Sequence, residues 1–525
     1  MKPTLQECTI RSLLFFLTFP LLPSRDTQQR HIVPSKMVDQ HVTIQDLSDG
    51  ALLCIFSFLR PRWRRPYLSY MPVSSLKWAW HRLAHVCRRW RYLVFASPRH
   101  LGLGLVTSFR RRGTTLDLWP PFPISICYNP HWKLSPKDER DVLATLERHF
   151  DRIFEINLTI SDSLLEKPLW MESFPALEHL CLSWPYPEPM VLPSGFLGGP
   201  AVASRGLRHI DLGGVSVPTL PQLLLSSRDL ISLHLGQDVL TGDGFLSPAV
   251  LVTSLSAAAR LELLHVCLPS TVLHEEHESA GPTSPPSNLV VLPALTCFEW
   301  DGSSEYLEDL VSRIHAPLLK RIRVDVPEED ARHLDIPRLS QFVSQAERMS
   351  WLPCQTFIFL DQSTFKISHQ FGTRGHLRFE LTCGHVTRLF QVSRAIHICG
   401  QLSPLIISDA ERVSIEVEIP GHHPPDATDL VIPLWLRLFR LFHGTQELEL
   451  HTNHSLYESH DSPTMGQEAF PALRVLRLDL GLPVPRFIKA FVAERGLTGL
   501  PITMIRTSRH FESSSDLEST SEEAM

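Results

Sequence analysis

Apolar side chains return in a three-membered pattern, Leu-x-x-Leu-x-Leu or a close variant, along the central part of the chain. The alternation of its last two members predicts a short strand with one apolar face. A return segment follows several copies, for example 218–227 and 305–314. One strand with its return segment cannot cover its own apolar face, whereas stacked copies can. The copies are Leu177, Leu180, Leu182; Leu207, Ile210, Leu212; Leu230, Leu233, Leu235; Leu261, Leu264, Val266; Leu295, Phe298, Trp300; Leu319, Ile322, Val324; and Leu473, Leu476, Leu478.

This repetition predicts a mixed fold class, α/β or α+β, in which a small helical module precedes an irregular solenoid of the leucine-rich-repeat kind. The repeat is degenerate, because only the copy at 448–453 ends in the Asn expected of regular members, at Asn453. Residues 341–445 lose the strict pattern but keep alternating runs such as 413–419. We therefore expect a curved array with a distorted middle. Loops are expected at 183–205 and 274–292.

Two short segments near the N-terminus have helical rather than strand periodicity. In 47–59, Leu52, Ile55 and Phe56 share one stripe, and Ser48 or Asp49 is placed to cap the helix. A second stretch, 80–95, repeats the pattern and stops before Pro98. Two such stripes exceed what about 50 residues can bury, and a surplus apolar face is typical of a docking module.

Together, L-S-D-x-x-L-L-x-I-F-x-x-L and the later V-C-R-R-W-R-Y-L-V resemble an F-box. The runs 81–105 and 116–128, with 306–318 and 491–501, are similar to a large group of F-box proteins from mushroom-type (basidiomycete) fungi. In that family the module binds the adaptor that links to a cullin–RING ubiquitin ligase. The resemblance implies adaptor contacts, or completion of the module's fold and edge, at Leu47, Leu52, Leu53, Ile55, Phe56, Val86, Cys87 and Trp90.

The resulting division of the chain is a leader over 1–40, a helical module with a long basic insert over 41–100, a repeat domain over 101–505 and an acidic Ser/Glu tail over 506–525. The leader is expected to be disordered or mispredicted, with Met37 as an alternative start. The tail carries acidic residues among Ser and Thr and no basic residue after residue 511, so it is expected to be disordered.

Composition removes several function classes. The formal net charge of −6 gives no chain-wide positive field for nucleic acid. The ten cysteines form no Cys-x-x-Cys pair, and the simplest interpretation is free thiols in a reducing compartment. No nucleotide-binding loop, hydrolase elbow or zinc-protease helix is present. Histidines at 274 and 277, 422 and 423, and 451, 454 and 460 lack the spacing of a persuasive metal site. We expect no enzyme activity, cofactor or metal.

The N-terminal apolar run at 13–22 keeps a second localisation open. It is short for a membrane span and is compatible with a secretory signal, and Asn157 and Asn453 stand in glycosylation motifs. Cytoplasmic or nuclear localisation, with no membrane partner, is the favoured prediction, and a secreted repeat glycoprotein is the minor alternative.

The predicted function is recruitment of a target protein to an SCF-type ligase, with the adaptor, and through it cullin, as partner. The alternative is a repeat scaffold whose F-box is vestigial; Ser48 in the usual Pro position and the insert at 60–79 favour it. The target is expected on strand positions that point away from the core, or else on the two loops. Those positions include Asp211, His234 and Glu299, alongside Glu178, Arg208, Glu262, His265 and Arg323.

Overall fold

A computed structural model describes the following parts of the chain. The described residues are 43–58, 83–98, 101, 105–107, 122–128, 136–161, 173–184, 186, 190–193, 195–198, 206–236, 246–268, 289–326, 335–345, 354–360, 364–371, 375–382, 388–401, 410–417, 434, 437–452, 470–479 and 486–507. The predicted leader, the basic insert and nearly all of the acidic tail lie outside these residues, as does Asn453.

The fold is mixed α/β, built from helices that alternate with short strands. The helices are α1 (Asp49–Phe58), α2 (Arg88–Ala96), α3 (Pro136–His149), α4 (Leu220–Ser226), α5 (Pro248–Leu255), α6 (Ser304–Val311), α7 (Pro337–Ser344), α8 (Arg388–Gln401) and α9 (Arg486–Leu497). A short 3₁₀ turn occupies Phe196–Gly198.

The strands are β1 (Leu105–Thr107), β2 (Ile124–Cys127), β3 (Ile153–Thr159), β4 (His179–Ser183), β5 (Met190–Val191), β6 (His209–Gly213), β7 (Val215–Ser216), β8 (Ser232–Leu235), β9 (Leu263–Cys267), β10 (Val290–Val291), β11 (Cys297–Asp301), β12 (Ile314–His315), β13 (Arg321–Asp325), β14 (Cys354–Leu360), β15 (Thr364–Phe371), β16 (Gly375–Thr382), β17 (Ala410–Val417), β18 (Glu447–Thr452), β19 (Val475–Asp479) and β20 (Thr503–Thr507).

Sixteen of the described strands form one sheet, in the order β1-β2-β3-β4-β6-β8-β9-β11-β13-β16-β15-β14-β17-β18-β19-β20. Neighbours pair in parallel on both sides of the β14–β16 segment. Two small parallel ladders, β5 with β7 and β10 with β12, lie beside the main sheet. The strand β5 lies within the predicted loop at 183–205, whereas its partner β7 lies beyond it.

The seven apolar copies read from the sequence coincide with strands and with the core. Each copy leads into or lies on one strand (β4, β6, β8, β9, β11, β13 or β19), and all of its apolar members are buried. The strands β4 and β6 alternate buried and half-buried positions, as a sheet with one covered face requires. This part of the prediction is confirmed. Residues 413–417 of the alternating run at 413–419 lie in β17, and the last two residues of that run lie outside the described residues.

Helices cover the buried face of the sheet. The return segments at 218–227 and 305–314 contain α4 and α6, and their apolar sides are buried. Aromatic contacts join the layers: the Trp300 ring stacks on Tyr306 of α6, and Phe298 meets Phe342 of α7 edge to face. Glu308 of α6 accepts hydrogen bonds from Arg338 N and Leu339 N, so one helix caps the start of the next.

The chain order reverses in the middle of the sheet. Strands β14, β15 and β16 are antiparallel, and β13 pairs with β16 rather than with β14. The connections between them span residues 361–363 and 372–374. Connections this short permit hairpins but cannot carry a parallel crossover. The distortion expected over 341–445 therefore takes the form of an inserted antiparallel trio.

Consecutive parallel strands are joined at their entrances by a repeated carbonyl contact. The carbonyl of the residue before one strand accepts two successive N–H groups from the start of the next, at 2.7–3.1 Å. Each unit thus fixes the register of its successor through backbone groups alone. The accepting carbonyls belong to Glu178, Arg208, Ile231, Glu262, Thr296 and Gln446.

The chain divides into two compact units, Met1–Ala79 and Trp80–Met525. In the first, α1 is capped as expected: Ser48 Oγ accepts a hydrogen bond from Ala51 N at 3.2 Å. The second predicted helix belongs to the other unit, where Phe95 packs on Phe122 just before β2. The sequence had assigned both helices to one module over 41–100.

The helix predicted over 80–95 is interrupted, and that prediction is wrong in its continuity. A turn occupies residues 85–86, and Cys87 has extended backbone angles at the start of α2. Its sulfur accepts a hydrogen bond from Trp90 N at 3.4 Å, which satisfies one of the free N–H groups of the new helix. This capping role was not predicted, because Cys87 lies within an apolar stripe of the sequence.

Candidate functional site

The face of the sheet opposite the described helices carries a line of polar side chains, here called the polar row. Backbone register places its members opposite one another on successive strands from β4 to β13. They occupy the position between the two strand-borne apolar residues of each copy, so they point away from the core. The polar row consists of Cys181, Asp211, His234, His265, Glu299 and Arg323.

Neighbouring members of the polar row contact one another. His234 Nδ1 donates to Asp211 Oδ1 at 2.7 Å. The His234 and His265 rings stack with centroids 4.3 Å apart. His265 Nδ1 lies 3.9 Å from Glu299 Oε2, which is too long for a hydrogen bond. From Asp211 to Glu299, each side chain of the row therefore lies against its neighbour on the next strand.

A second line, the companion row, runs parallel to the first and one step nearer the strand entrances. His179 and His209 stack in it with centroids 4.4 Å apart and nearly parallel rings. Phe154 meets His179 edge to face. The other members are Ser125, Glu155, Ser232, Leu263, Cys297 and Arg321.

Burial keeps the imidazoles of His209 and His265 neutral. Desolvation, followed by the charges of His234 and Arg323, lowers the pKa of His265 to about 3. Desolvation and the neighbouring Arg208 lower the pKa of His209 to about 4. Because a neutral imidazole carries no charge, His265 and Glu299 form no ion pair near neutral pH. Their contact is one of packing.

The thiol on this face is held protonated. Burial raises the pKa of Cys181 well above its ordinary value, and the carboxylate of Asp211 raises it further. A protonated thiol is a weak nucleophile, so Cys181 contributes packing and a hydrogen bond to Asp211 rather than reactivity.

Asp211 and His234 lie where the sequence placed them, on the polar row and half-buried. Glu299 also belongs to the row, but the expectation that it is open to a partner is wrong. Its side chain is only 7% exposed, because His265 lies on one side and Arg321 Nη2 approaches Oε1 to 3.5 Å on the other. Arg323 is exposed, and Glu178 and Arg208 flank the strand entrances as a loose pair 3.9 Å apart.

The companion row was missed by sequence reasoning. Glu155, His179, His209 and Arg321 were not predicted, although three of them stand one residue before the second apolar member of a copy. That position also alternates away from the core. Counting both outward positions of each strand would have found them.

A separate charged cluster lies on β17–β19. The Glu447 carboxylate accepts from Arg412 Nε at 2.8 Å and from Arg477 Nε. Burial opposes ionisation of Glu447, but the hydrogen bonds from Arg477 and Arg412 outweigh it, so its pKa lies below the ordinary value. His451 Nε2 lies 3.2 Å from Glu449. The Arg412 and Arg477 contacts tie β17 and β19 to β18 and leave Glu447 little capacity for a ligand.

The predicted adaptor contacts on α1 divide into two groups. Leu52 and Phe56 are buried within the chain, so the expectation that they face a partner is wrong, and both serve packing. Leu47, Leu53 and Ile55 are half-buried. Phe58 is 85% exposed and lies one turn from Ile55. The apolar side of α1 open to a partner therefore runs through Ile55 and Phe58.

The predicted residues around α2 are more open. Val86 is exposed, Cys87 is exposed and caps α2, and Trp90 is half-buried. Tyr92 is also exposed. Leu93 and Val94 form the buried side of this helix instead. The sequence had not distinguished these two sides.

Asn157 does not suit glycosylation. It lies inside β3, between β2 and β4, and its Oδ1 atom is buried without a hydrogen-bond partner. A glycan needs an exposed amide on a surface segment. The sequence motif at this position is therefore incidental, and the acceptor predicted at Asn453 lies outside the described residues.

Within the described part of the chain, no three or more His, Cys, Asp and Glu residues are grouped so as to hold a metal ion. His274, His277, His422, His423, His454 and His460 are not among the described residues. Nor does any described helix combine the length and apolar character needed to cross a membrane.

No protein-family model matches the chain, and no curated protein matches it.

Proposed function

We propose that this chain is the substrate-recruiting subunit of an SCF-type cullin–RING ubiquitin ligase, acting through protein–protein contacts and performing no chemistry itself. The observation that carries the proposal is α1: the segment that resembles the start of an F-box is a capped helix with an apolar side left open. Recruitment would raise the local concentration of a target near the ligase, which is a tethering effect.

The exposed apolar side of α1 is the proposed adaptor contact. Phe58 is almost fully exposed at the end of the helix, and a phenyl ring in that position costs solvation unless a partner covers it. Ile55 and Leu53 are half-buried beside it. Leu52 and Phe56 hold the helix in place from the buried side.

The second unit is proposed to be a leucine-rich-repeat-like solenoid that presents the target site. Three features support this: short parallel strands in chain order, helices on one face, and repeated carbonyl contacts between successive units. The strand face that carries the polar and companion rows is the proposed location of the target.

The test is a pull-down of the full chain with the purified cullin adaptor. Phe58→Asp puts a charge on the proposed contact and should reduce binding by roughly 2–4 kcal/mol, the cost typical of losing an interface anchor. Ile55→Asp should act in the same direction. Cys54→Asp is the matched control, because it adds the same charge at an exposed position of the same helix.

The outcome is decisive in both directions. Loss of adaptor binding with Phe58→Asp and retention with Cys54→Asp supports the assignment. If wild-type protein fails to bind the adaptor, or if Phe58→Asp and Ile55→Asp bind as wild type does, the proposed contact is rejected. Circular dichroism of each variant separates lost docking from lost folding.

A repeat scaffold with a vestigial F-box is the second candidate. The interruption at residues 85–87 favours it, because the second helical segment is split where the family resemblance runs through V-C-R-R-W. This candidate predicts that the wild-type chain does not bind the adaptor while its strand face still binds a partner.

A further inference from the structure

Carboxylates dominate the charged groups of the strand face between β3 and β11. Glu155 and Asp211 lie on the two rows, and Glu299 follows on β11. Asp301 stands at the end of β11, where Cys267 Sγ donates to it at 3.1 Å. The imidazoles between them contribute no compensating positive charge at His209 and His265, since burial keeps both neutral.

Some hydrogen-bond acceptors on this face have only weak or distant donors. Asn157 Oδ1 is buried with no hydrogen-bond partner. Glu299 Oε1 accepts from Cys297 Sγ, a weak donor, at 3.5 Å, and Glu299 meets Arg321 at 3.5 Å and His265 at 3.9 Å, both beyond a good hydrogen bond. Asp211 accepts from His234 on one side and from the Cys181 thiol, a weak donor, on the other. A partner that covers this face must bring donors, because unsatisfied buried acceptors are costly.

We propose that the strand face from β3 to β11 binds a basic protein segment, whose Lys and Arg side chains reach the carboxylates of Asp211 and Asp301, while the buried carboxylates of Glu155 and Glu299 add negative charge beneath them. Ammonium and guanidinium groups supply several donors and the opposite charge. The identification of that segment as part of a ubiquitination target rests on the proposed function, but the binding itself does not.

Charge decides between the possible occupants. The chain's own tail carries Glu512, Asp516, Glu518, Glu522 and Glu523. Like charges repel, so this tail is a poor occupant of an acidic face. Arg321 and Arg323 mark the boundary at β13, where the sign of the surface changes. An acidic partner would have to avoid β3–β11 and approach from that side.

The experiment is fluorescence anisotropy of the full chain with two short labelled peptides, one of alternating Lys and Ser and one of alternating Glu and Ser. The Lys peptide should bind, and its affinity should fall with added salt because the contacts are partly exposed. The Glu peptide should not bind. Asp211→Asn and Glu299→Gln preserve side-chain size. The first removes a half-buried contact and the second a buried negative charge, and each should weaken binding of the Lys peptide roughly two- to fivefold.

Two matched variants locate the site. Arg323→Gln removes a charge of the opposite sign from the same row and should leave affinity unchanged or raise it. Neutralising the acidic residues of the tail as Asn and Gln within the full-length chain should also leave binding intact. Asp211 and Glu299 are three strands apart, so their effects should multiply in the double variant.

The proposal is overturned if the Glu peptide binds more tightly than the Lys peptide. It is equally overturned if the double variant binds Lys peptide as wild type does, or if tail neutralisation abolishes binding. Adaptor pull-down of the same double variant is read separately: it should be unchanged, because α1 is untouched. Failure of the Lys peptide to bind therefore rejects this site without affecting the proposed ligase role.

Discussion

Acidification should destabilise the sheet through His265, and the size of the effect follows from its surroundings. The folded chain holds the pKa of this imidazole at about 3, against 6.5 for the ordinary group, because the ring is buried beside His234 and Arg323. Between about pH 6.5 and pH 3, His265 is protonated in the unfolded chain but neutral in the folded chain. The contribution of His265 to the free energy of unfolding is therefore fully present above pH 6.5. It falls as the pH drops towards the pKa of the folded state.

The magnitude can be worked out for a convenient interval. Each pH unit below the unfolded pKa costs the folded state about 1.4 kcal/mol, so acidification from about pH 8 to about pH 5 should remove roughly 2 kcal/mol through His265 alone. The carboxylates Glu447 and Glu449, whose pKa values are lowered, titrate mainly below this interval. His209 lowers stability on acidification in the same direction as His265. It is present in both wild type and the His265→Gln variant, so its effect cancels when the two are compared.

The assay is urea unfolding of wild type and His265→Gln, followed by circular dichroism at both pH values. Wild type should lose roughly 2 kcal/mol more than the variant, a difference that reports His265 alone. His443→Gln, at an exposed position, is the matched control and should keep the wild-type pH profile. Equal losses in wild type and His265→Gln would refute the reasoning, as would a directly titrated His265 with a pKa near 6.5.

Other predictions concern packing, charge and backbone shape. Leu233→Ala opens a cavity at a fully buried position and should cost about 2–5 kcal/mol in urea unfolding, whereas Leu225→Ala, at an exposed position, should cost far less. Glu447→Gln should lower stability near neutral pH. Because the folded pKa of Glu447 is depressed, the wild type should lose this advantage on acidification below the ordinary carboxyl value while the variant does not. Gly214→Ala should lower the melting temperature, since φ is +69° and the added Cβ would lie 2.7 Å from the Trp184 carbonyl oxygen.

The strands and their buried side chains could be predicted because each copy carries its own signal. Leu180 and Leu182, or Phe298 and Trp300, alternate with polar residues, and a period of two determines which side chains share a face. The outward positions of Asp211 and His234 follow from the same alternation. No knowledge of long-range contacts was needed for these inferences.

Features that depend on neighbouring strands could not be read from one segment. The burial of Glu299 comes from Arg321 on the next strand and from His265 on the previous one. The antiparallel trio β14–β16 reflects connection length rather than strand composition. The break at Cys87 arises because a thiol takes the capping role usually filled by Ser, Thr, Asp or Asn.

The carbonyl contacts between successive parallel strands have an evolutionary consequence. Each junction uses backbone groups, such as the Arg208 carbonyl with Ile231 N and Ser232 N, and so places little demand on side-chain identity. Gene segments encoding one whole strand–helix unit could be duplicated or lost, and the flanking units would find equivalent partners. The trio β14–β16 lacks that freedom, because removing one of its strands would reverse the direction of everything beyond it. Relatives should therefore vary in length by whole units on either side of a conserved three-stranded insert, and each gain or loss would add or remove one rung of the exposed polar surface.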